Sequence, residues 1–252
     1  MGKLNGKVAI ITGGGQGVGL GIAFALAEAG ASIVITGRHE EKLRGAAEQI
    51  RAQGAPEVLT VVGDSRRRES AQQTVRATIE KLGRLDVLVN NAQSSAPGLE
   101  FEKIDDATIA MTLESGFLGT LYFMQASFPY MKEHGGSIIN LGSREGIFGG
   151  VGMSVYAATK EAIRGLSRSV AREWGKYNIR VNVICPAALS PAAVTYLDSH
   201  PEEAKMYLSQ IALGRFGDTH RDIGPIALFL ASSDSGYLTG QTLNADGGQM
   251  ML

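Results

Sequence analysis

Apolar and polar positions follow two rhythms along this chain. Short, continuous apolar runs rich in β-branched residues read as buried strands. They are "KVAIIT" (7–12), "SIVIT" (32–36), "EVLTVVGD" (57–64), "LDVLVNNA" (85–92), "SIINLGS" (137–143), "IRVNVIC" (179–185) and "QTLNAD" (241–246). Between them, apolar positions recur at helical spacing. Residues 17–29 form the first such segment, stopped by Gly30, and 40–53 the second, ended by Gly54. Further helices are expected up to Leu82, over about 107–133, over 154–177 and over 221–230. Residues 191–210 read as an irregular, partly helical insertion.

Strands that are apolar on both faces and alternate with helices predict a parallel sheet covered on both sides. No linker, repeat or low-complexity tract interrupts the pattern, so a single domain over 1–252 is expected, with a lid at about 188–213. A (β/α)₈ barrel is the rival at this length. Seven strands rather than eight, and a glycine-rich turn directly after the first, favour an α/β doubly wound, Rossmann-like sheet.

Composition narrows the function classes. At 44% hydrophobic, the 252 residues can bury a large core. Net charge is −1, from 24 basic and 25 acidic residues, which leaves no electrostatic footprint for nucleic acid. Arg66-Arg67-Arg68 reads as a solvated helix start. No apolar run approaches the ~20 residues that span a bilayer, and the first residues lack the apolar core of a signal peptide. The Met-Gly start has Gly6 where a myristoylation pattern needs Ser or Thr. Cys185 is the lone cysteine, so no intrachain disulfide is possible, which suits a reducing compartment and a cytoplasmic protein. The four histidines, His39, His134, His200 and His220, lie far apart in predicted surface turns, so no metal site is expected.

The stretch "TGGGQGVGLG" (12–21) holds six glycines. Ligands of open α/β sheets bind beyond the carboxyl ends of the strands. A helix starting there offers free N–H groups and its positive dipole end to a pyrophosphate. Close backbone approach would require Gly13, Gly15, Gly17 and Gly19 to lack side chains. The spacing is T-G-x-x-x-G-x-G rather than G-x-G-x-x-G, and a flexible turn with tight helix packing is the plainer alternative. At the end of the second strand an acid favours a ribose 2′-hydroxyl and an arginine a 2′-phosphate. Gly37 followed by Arg38 points to NADP(H) over NAD(H), although Glu40 or Glu41 could still supply a carboxylate. Asp64 is placed either to accept from an adenine amino group or to cap the helix beginning at Ser65.

Tyr156 and Lys160 are four apart on a predicted helix and so share a face. A phenol near pKa ~10 is a poor acid–base catalyst at neutral pH. An ammonium one turn away, with an oxidised nicotinamide nearby, is expected to favour the phenolate. Ser143, ending the fifth strand, offers a hydroxyl to a substrate carbonyl as charge develops.

Together, T-G-x-x-x-G-x-G, "NNAQ", Ser143, Tyr156-x-x-x-Lys160 and the closing "NADGG" resemble the short-chain dehydrogenase/reductase family over essentially the whole chain. The resemblance implies a Rossmann-like domain, assembled as a homodimer or homotetramer, that moves a hydride between NAD(P)(H) and a carbonyl or alcohol. It implies Tyr156 as general acid/base, Ser143 as orienter of the substrate oxygen, and Lys160 as tuner of the tyrosine and ribose ligand. It extends the cofactor set to Gln16, Val18, Ser65, Asn90, Asn91, Ala92, Pro186 and Leu189. It places substrate against Gln93, Ser143, Met153, Tyr156 and Tyr196. The chain departs from the family pattern at Gln93, where glycine is usual, at Gly116, where an asparagine often holds a relay water, and at Ala187 and Pro191.

The lid supplies apolar Leu189, Val194, Tyr196, Leu197 and Met206, and the loop before Tyr156 adds Ile147, Phe148, Val151 and Met153. An apolar pocket with one polar focus suits a small hydrophobic ketone or secondary alcohol. The same residues would alternatively pack the lid on the core or bury a subunit interface. No basic cluster on the lid suggests a phosphate or coenzyme A tail, which lowers a 3-oxoacyl thioester reductase to second place. A catalytically impaired dinucleotide-binding regulator is the alternative of another class.

Overall fold

β1 (Val8–Thr12) is buried at all five positions, as a strand covered on both faces must be. It pairs in parallel with β2 (Ser32–Gly37), Ile10 opposite Val34, and on its other side with β4 (Val87–Asn90), Ile10 opposite Leu88. β3 (Val58–Val62), β5 (Gly136–Leu141), β6 (Ile179–Pro186) and β7 (Thr242–Ala245) complete one seven-stranded parallel sheet of order β3-β2-β1-β4-β5-β6-β7. This computed structural model describes residues 2–189, 194 and 197–251.

The period of two along the strands divides the core. Ala9, Ile11, Ile33 and Ile35 face α1 (Gly17–Glu28), α2 (Glu40–Ala52) and α9 (Gly224–Ala231). Val8, Ile10, Val34 and Leu88 face α3 (Arg68–Leu82), α5 (Gly119–Met131) and α7 (Ser154–Trp174). α4 (Asp106–Leu113) leads into α5 through a π-helical turn at Glu114–Leu118, where the spacing had predicted one regular helix over 107–133. A second π-turn, Thr219–Ile223, precedes α9. His220 sits in it half-buried, edge-on to Phe24 and 3.1 Å from Glu28, so it is packed rather than solvated.

The chain runs outward from β1 to β3, then returns to lay β4 on the other side of β1. The loops after β1 and β4 therefore diverge and leave a crevice at the carboxyl ends of the strands. The short α6 (Arg144–Phe148) stands at its rim, and α8 (Pro201–Ser209) follows later in the chain.

Candidate active site

The floor of the crevice is set by a clasp between β1 and β4. Thr12 Oγ1 accepts hydrogen bonds from the backbone N–H of Asn91 (2.9 Å) and Ala92 (3.0 Å). Asn91 Nδ2 returns one to the Thr12 carbonyl (2.8 Å). Gly13 holds φ at +65°, and a Cβ there would lie 2.9 Å from Asn91 Nδ2. A Cβ on Gly19 would lie 2.5 Å from the same atom. Gly19 thus admits the Asn91 side chain from beneath, while Gly13, Gly15, Gln16, Gly17 and Val18 form the wall. The Gln16 side chain makes no cap to α1, so the first-turn N–H groups face a cavity of about 840 Å³ uncapped.

At the outer end Arg38, His39 and Lys42 line the crevice. The Arg38 guanidinium makes no hydrogen bond among the described residues, whereas Lys42 Nζ donates to Gln16 Oε1 (2.9 Å). Glu40 and Glu41 are exposed and off the wall, and Glu41 pairs with Arg44. Asp64 and Ser65 lie on the wall. Both Asp64 oxygens are held by Arg66 (2.9 and 2.6 Å to Oδ2, 3.1 Å to Oδ1), which keeps this carboxyl below its ordinary range.

At the inner end α7 carries Tyr156 and Lys160 on one face, and both line the cavity with Met153 and Pro186. Lys160 Nζ lies 5.5 Å from the Tyr156 ring centre and donates to the Leu141 carbonyl (2.8 Å). Burial pulls this lysine down to about 8. The Tyr156 phenol is raised instead of lowered. Burial is the largest cause, opposed by a side-chain hydrogen bond with Ser143 and reinforced by the Glu145 carboxylate and Cys185. The expected depression by Lys160 is therefore not what the protein alone produces. The Ser143 hydroxyl also caps α6 by accepting from the Glu145 N–H (3.1 Å).

Some expected residues fall elsewhere. The Asn90 side chain is buried in a chain from Asn90 Nδ2 to Asn140 Oδ1 (2.8 Å) and from Asn140 Nδ2 to Ser167 Oγ (2.8 Å), off the wall. Leu189 lies beyond the lining residues Pro186 and Ala188. Tyr196 and Pro191 lie outside the described residues. Among the described residues, the apolar wall expected from the lid and loop is not what surrounds Tyr156. Phe148 is 70% exposed, Val151 fully exposed and Met206 half-exposed. Ser143 caps α6, at whose end Phe148 faces solvent while Ile147 is half-buried. Polar Gln93, Ser94, Ser95 and Glu145 line the cavity there, with Met153 and Pro97.

Gln93 and Gly116 explain each other. A Cβ on Gly116 would fall on the Gln93 carboxamide, 2.9 Å from its Cδ, and 2.6 Å from Thr159 Cγ2. Gln93 Nε2 donates to the Ser94 (2.8 Å) and Thr112 (3.1 Å) carbonyls. Its Oε1 is buried without a partner among the described residues. Ser115 Oγ, in the π-turn, accepts from the Ser94 N–H (2.9 Å) and bonds the Met111 carbonyl (2.7 Å), so the loop after β4 is stitched to this helix.

Lys42, Ser115 and Glu145 are site residues that sequence reasoning missed. Lys42 lies one helical turn beyond Arg38-His39, and Glu145 two residues beyond Ser143, so spacing alone was a usable signal.

Residues 13–250 match a family model described as enoyl-(acyl carrier protein) reductase. The chain is 43% identical to the 12alpha-hydroxysteroid dehydrogenase of a Clostridium species, over 98% of each protein. It is 39% identical to the trans-4-hydroxycyclohexanecarboxylate dehydrogenase of Sinomonas cyclohexanicum, over 96% of this chain and 92% of that one. A short-chain type dehydrogenase/reductase from Mycobacterium ulcerans superposes with a TM-score of 0.93 at 30% identity, over 98% of this chain and 90% of that one.

Proposed function

Because the chain belongs to the short-chain dehydrogenase/reductase family and is an oxidoreductase, we propose that it interconverts a secondary alcohol on an alicyclic ring and the corresponding ketone, using NADP(H). The observation that carries this reading is the reacting end of the crevice. A half-buried phenol, with Ser143 near enough to act on its ionisation, lies beside a buried lysine, in one cavity with an uncapped, glycine-rich helix start. The alicyclic ring is inferred from relatives whose names specify a hydroxysteroid and a hydroxycyclohexane.

The residues fit a dinucleotide. Gly13, Gly15 and Gly17 leave room for a pyrophosphate against the N–H groups of α1. Arg38 and Lys42 present cations at the end of β2 beside His39, and the one neighbouring carboxylate among the described lining residues, Asp64, is already held by Arg66, which supports a 2′-phosphate. Asn91, Ala92 and Pro186 line the path between the two ends. The bound nicotinamide supplies or accepts the hydride. In ketone reduction the Tyr156 hydroxyl gives its proton to the substrate oxygen, and in oxidation it takes one back. Ser143 orients that oxygen by hydrogen bonding. Lys160, held by Leu141, fixes the tyrosine and offers its remaining donors to ribose.

Gln93 fills the space at Gly116, so that departure leaves no hole in the site and gives no support to an impaired enzyme. A second reading is a 3-oxoacyl thioester reductase, which shares an acyl thioester substrate with the description of the family model. The proposal also includes a homodimer or homotetramer of one domain, in the cytoplasm. The exposed Tyr237 and Phe229 offer contact area, and the buried free thiol of Cys185 suits a reducing compartment.

NADPH consumption with alicyclic ketones and with a 3-oxoacyl thioester separates the two readings. Turnover only with the thioester selects the second. We expect NADPH to be preferred over NADH, Arg38→Ala to weaken that preference about tenfold, and Tyr156→Phe to lower kcat by about 10³-fold. Undiminished turnover by Tyr156→Phe removes the proton-transfer role.

A further inference from the structure

The wall beside Tyr156 carries a charge that a plain ketone does not need. Glu145 lies on the cavity surface with Tyr156 and Met153, two residues beyond Ser143. Its Oε1 accepts from Arg144 Nε (3.2 Å) and Nη2 (2.9 Å). Arg144 is off the wall, bonded also to Gln210 Oε1 (3.2 Å) and lying over the Phe148 ring. The carboxylate is thus held from behind. Its Oε2 accepts no hydrogen bond among the described residues, and Gly150 leaves the space it occupies, since a Cβ there would overlap it. Both side chains are mostly buried, at 18% and 19% exposure, which keeps the pair from being a solvated surface contact.

An acceptor with lone pairs free, fixed within the reacting cavity, selects for a donor on the ligand. Arg144 already balances the charge, so a neutral hydroxyl satisfies the site without a cation. A ligand carboxylate at the same place would meet lone pairs with no donor between them.

We propose that Glu145 determines the substrate class of this crevice: its free carboxylate oxygen accepts from a second hydroxyl on the ring, next to the reacting carbon, and excludes rings bearing a carboxylate there. The substrate is therefore a ring diol or its hydroxyketone. This rests on the alcohol–ketone reading above.

The test is kcat/KM with NADP⁺ for cyclohexanol, cyclohexane-1,2-diol and 2-hydroxycyclohexanecarboxylate, in wild type, Glu145→Gln and Glu145→Leu. Wild type should prefer the diol over cyclohexanol by about tenfold, the effect of one hydrogen bond to a charged group. Glu145→Leu should bring the two within about twofold, while Glu145→Gln should keep part of the preference and admit the carboxylate. Ratios between substrates cancel any loss of folded enzyme. Equal handling of cyclohexanol and the diol by wild type, or an unchanged ratio in Glu145→Leu, overturns the assignment to Glu145. If wild type binds NADPH and oxidises none of the three, the alcohol–ketone reading itself falls.

Discussion

The ionisation of Tyr156 and Lys160 is decided by burial more than by their mutual attraction. Lys160 is only 4% exposed and titrates at about 8, while the Tyr156 phenol is raised. The groups facing the phenol are Ser143, Lys160, Glu145 and Cys185, with Arg144 behind Glu145 and Arg164 near Cys185. In the unliganded protein at neutral pH the phenol is protonated, the form that ketone reduction requires. Reduction should therefore hold level through neutral pH and fall at alkaline pH, whereas alcohol oxidation should rise with pH. Removing the Glu145 charge favours the phenolate. The rising limb of oxidation in Glu145→Gln should move to lower pH, read from kcat against pH, and an unmoved limb contradicts the influence of that carboxylate. The sequence displayed the phenol and the ammonium four residues apart. It did not display the sign of the shift, because that depends on desolvation by strands and helices distant in sequence.

Elements were legible where one physical rule governs them. Apolar, β-branched runs located all seven strands to within a few residues; for the five strands β1, β2, β4, β5 and β6, buried on both faces, the sheet admits little else, whereas the edge strands β3 and β7 are only partly buried. The π-turn at 114–118 was not legible, since an extra residue in one turn leaves the apolar spacing on either side unchanged. The exposure of Phe148 was hidden because α6 is a single capped turn, too short for apolar spacing to mark a buried face. The glycine turn was found, but the role of Gly19 is to seat Asn91. The coupling of the β4 loop to the π-turn gives a prediction for these elements. Gly116→Ser should cost about 2 kcal/mol through overpacking against Gln93. Gln93→Gly should cost about 1 kcal/mol through lost packing. In the double variant the penalties should fall short of their sum by about 1 kcal/mol in urea unfolding. Strict additivity would show that the two positions are independent.

Across the whole molecule, the two ends of the sheet do different work. The carboxyl ends hold the cavity. At the opposite end Asp86, 6% exposed at its side chain, accepts from the Val8 N–H (3.0 Å), Lys7 Nζ (2.9 Å) and Arg84 (2.7 and 2.6 Å), tying the starts of β1 and β4 together. Burial raises this carboxyl, but the hydrogen bonds from Arg84 and Lys7 outweigh it, and the net direction is downward. A depressed carboxyl contributes stability above its unfolded pKa of about 4, which is lost as pH falls through the lower folded value. Asp86→Asn should remove about 2–3 kcal/mol at neutral pH and flatten the acid arm of unfolding free energy against pH. An acid arm as steep as that of wild type would rule out this carboxylate as a source of the pH dependence.

The fit of one carboxamide into one missing methyl also constrains ancestry. A forebear with any side chain at 116 had no room for glutamine at 93 in its present rotamer, whereas a forebear with glycine at 116 and a small residue at 93 was merely underfilled. On this steric ground glycine at 116 is the prerequisite for Gln93 as it stands, and a side chain restored at 116 alone carries the overpacking cost.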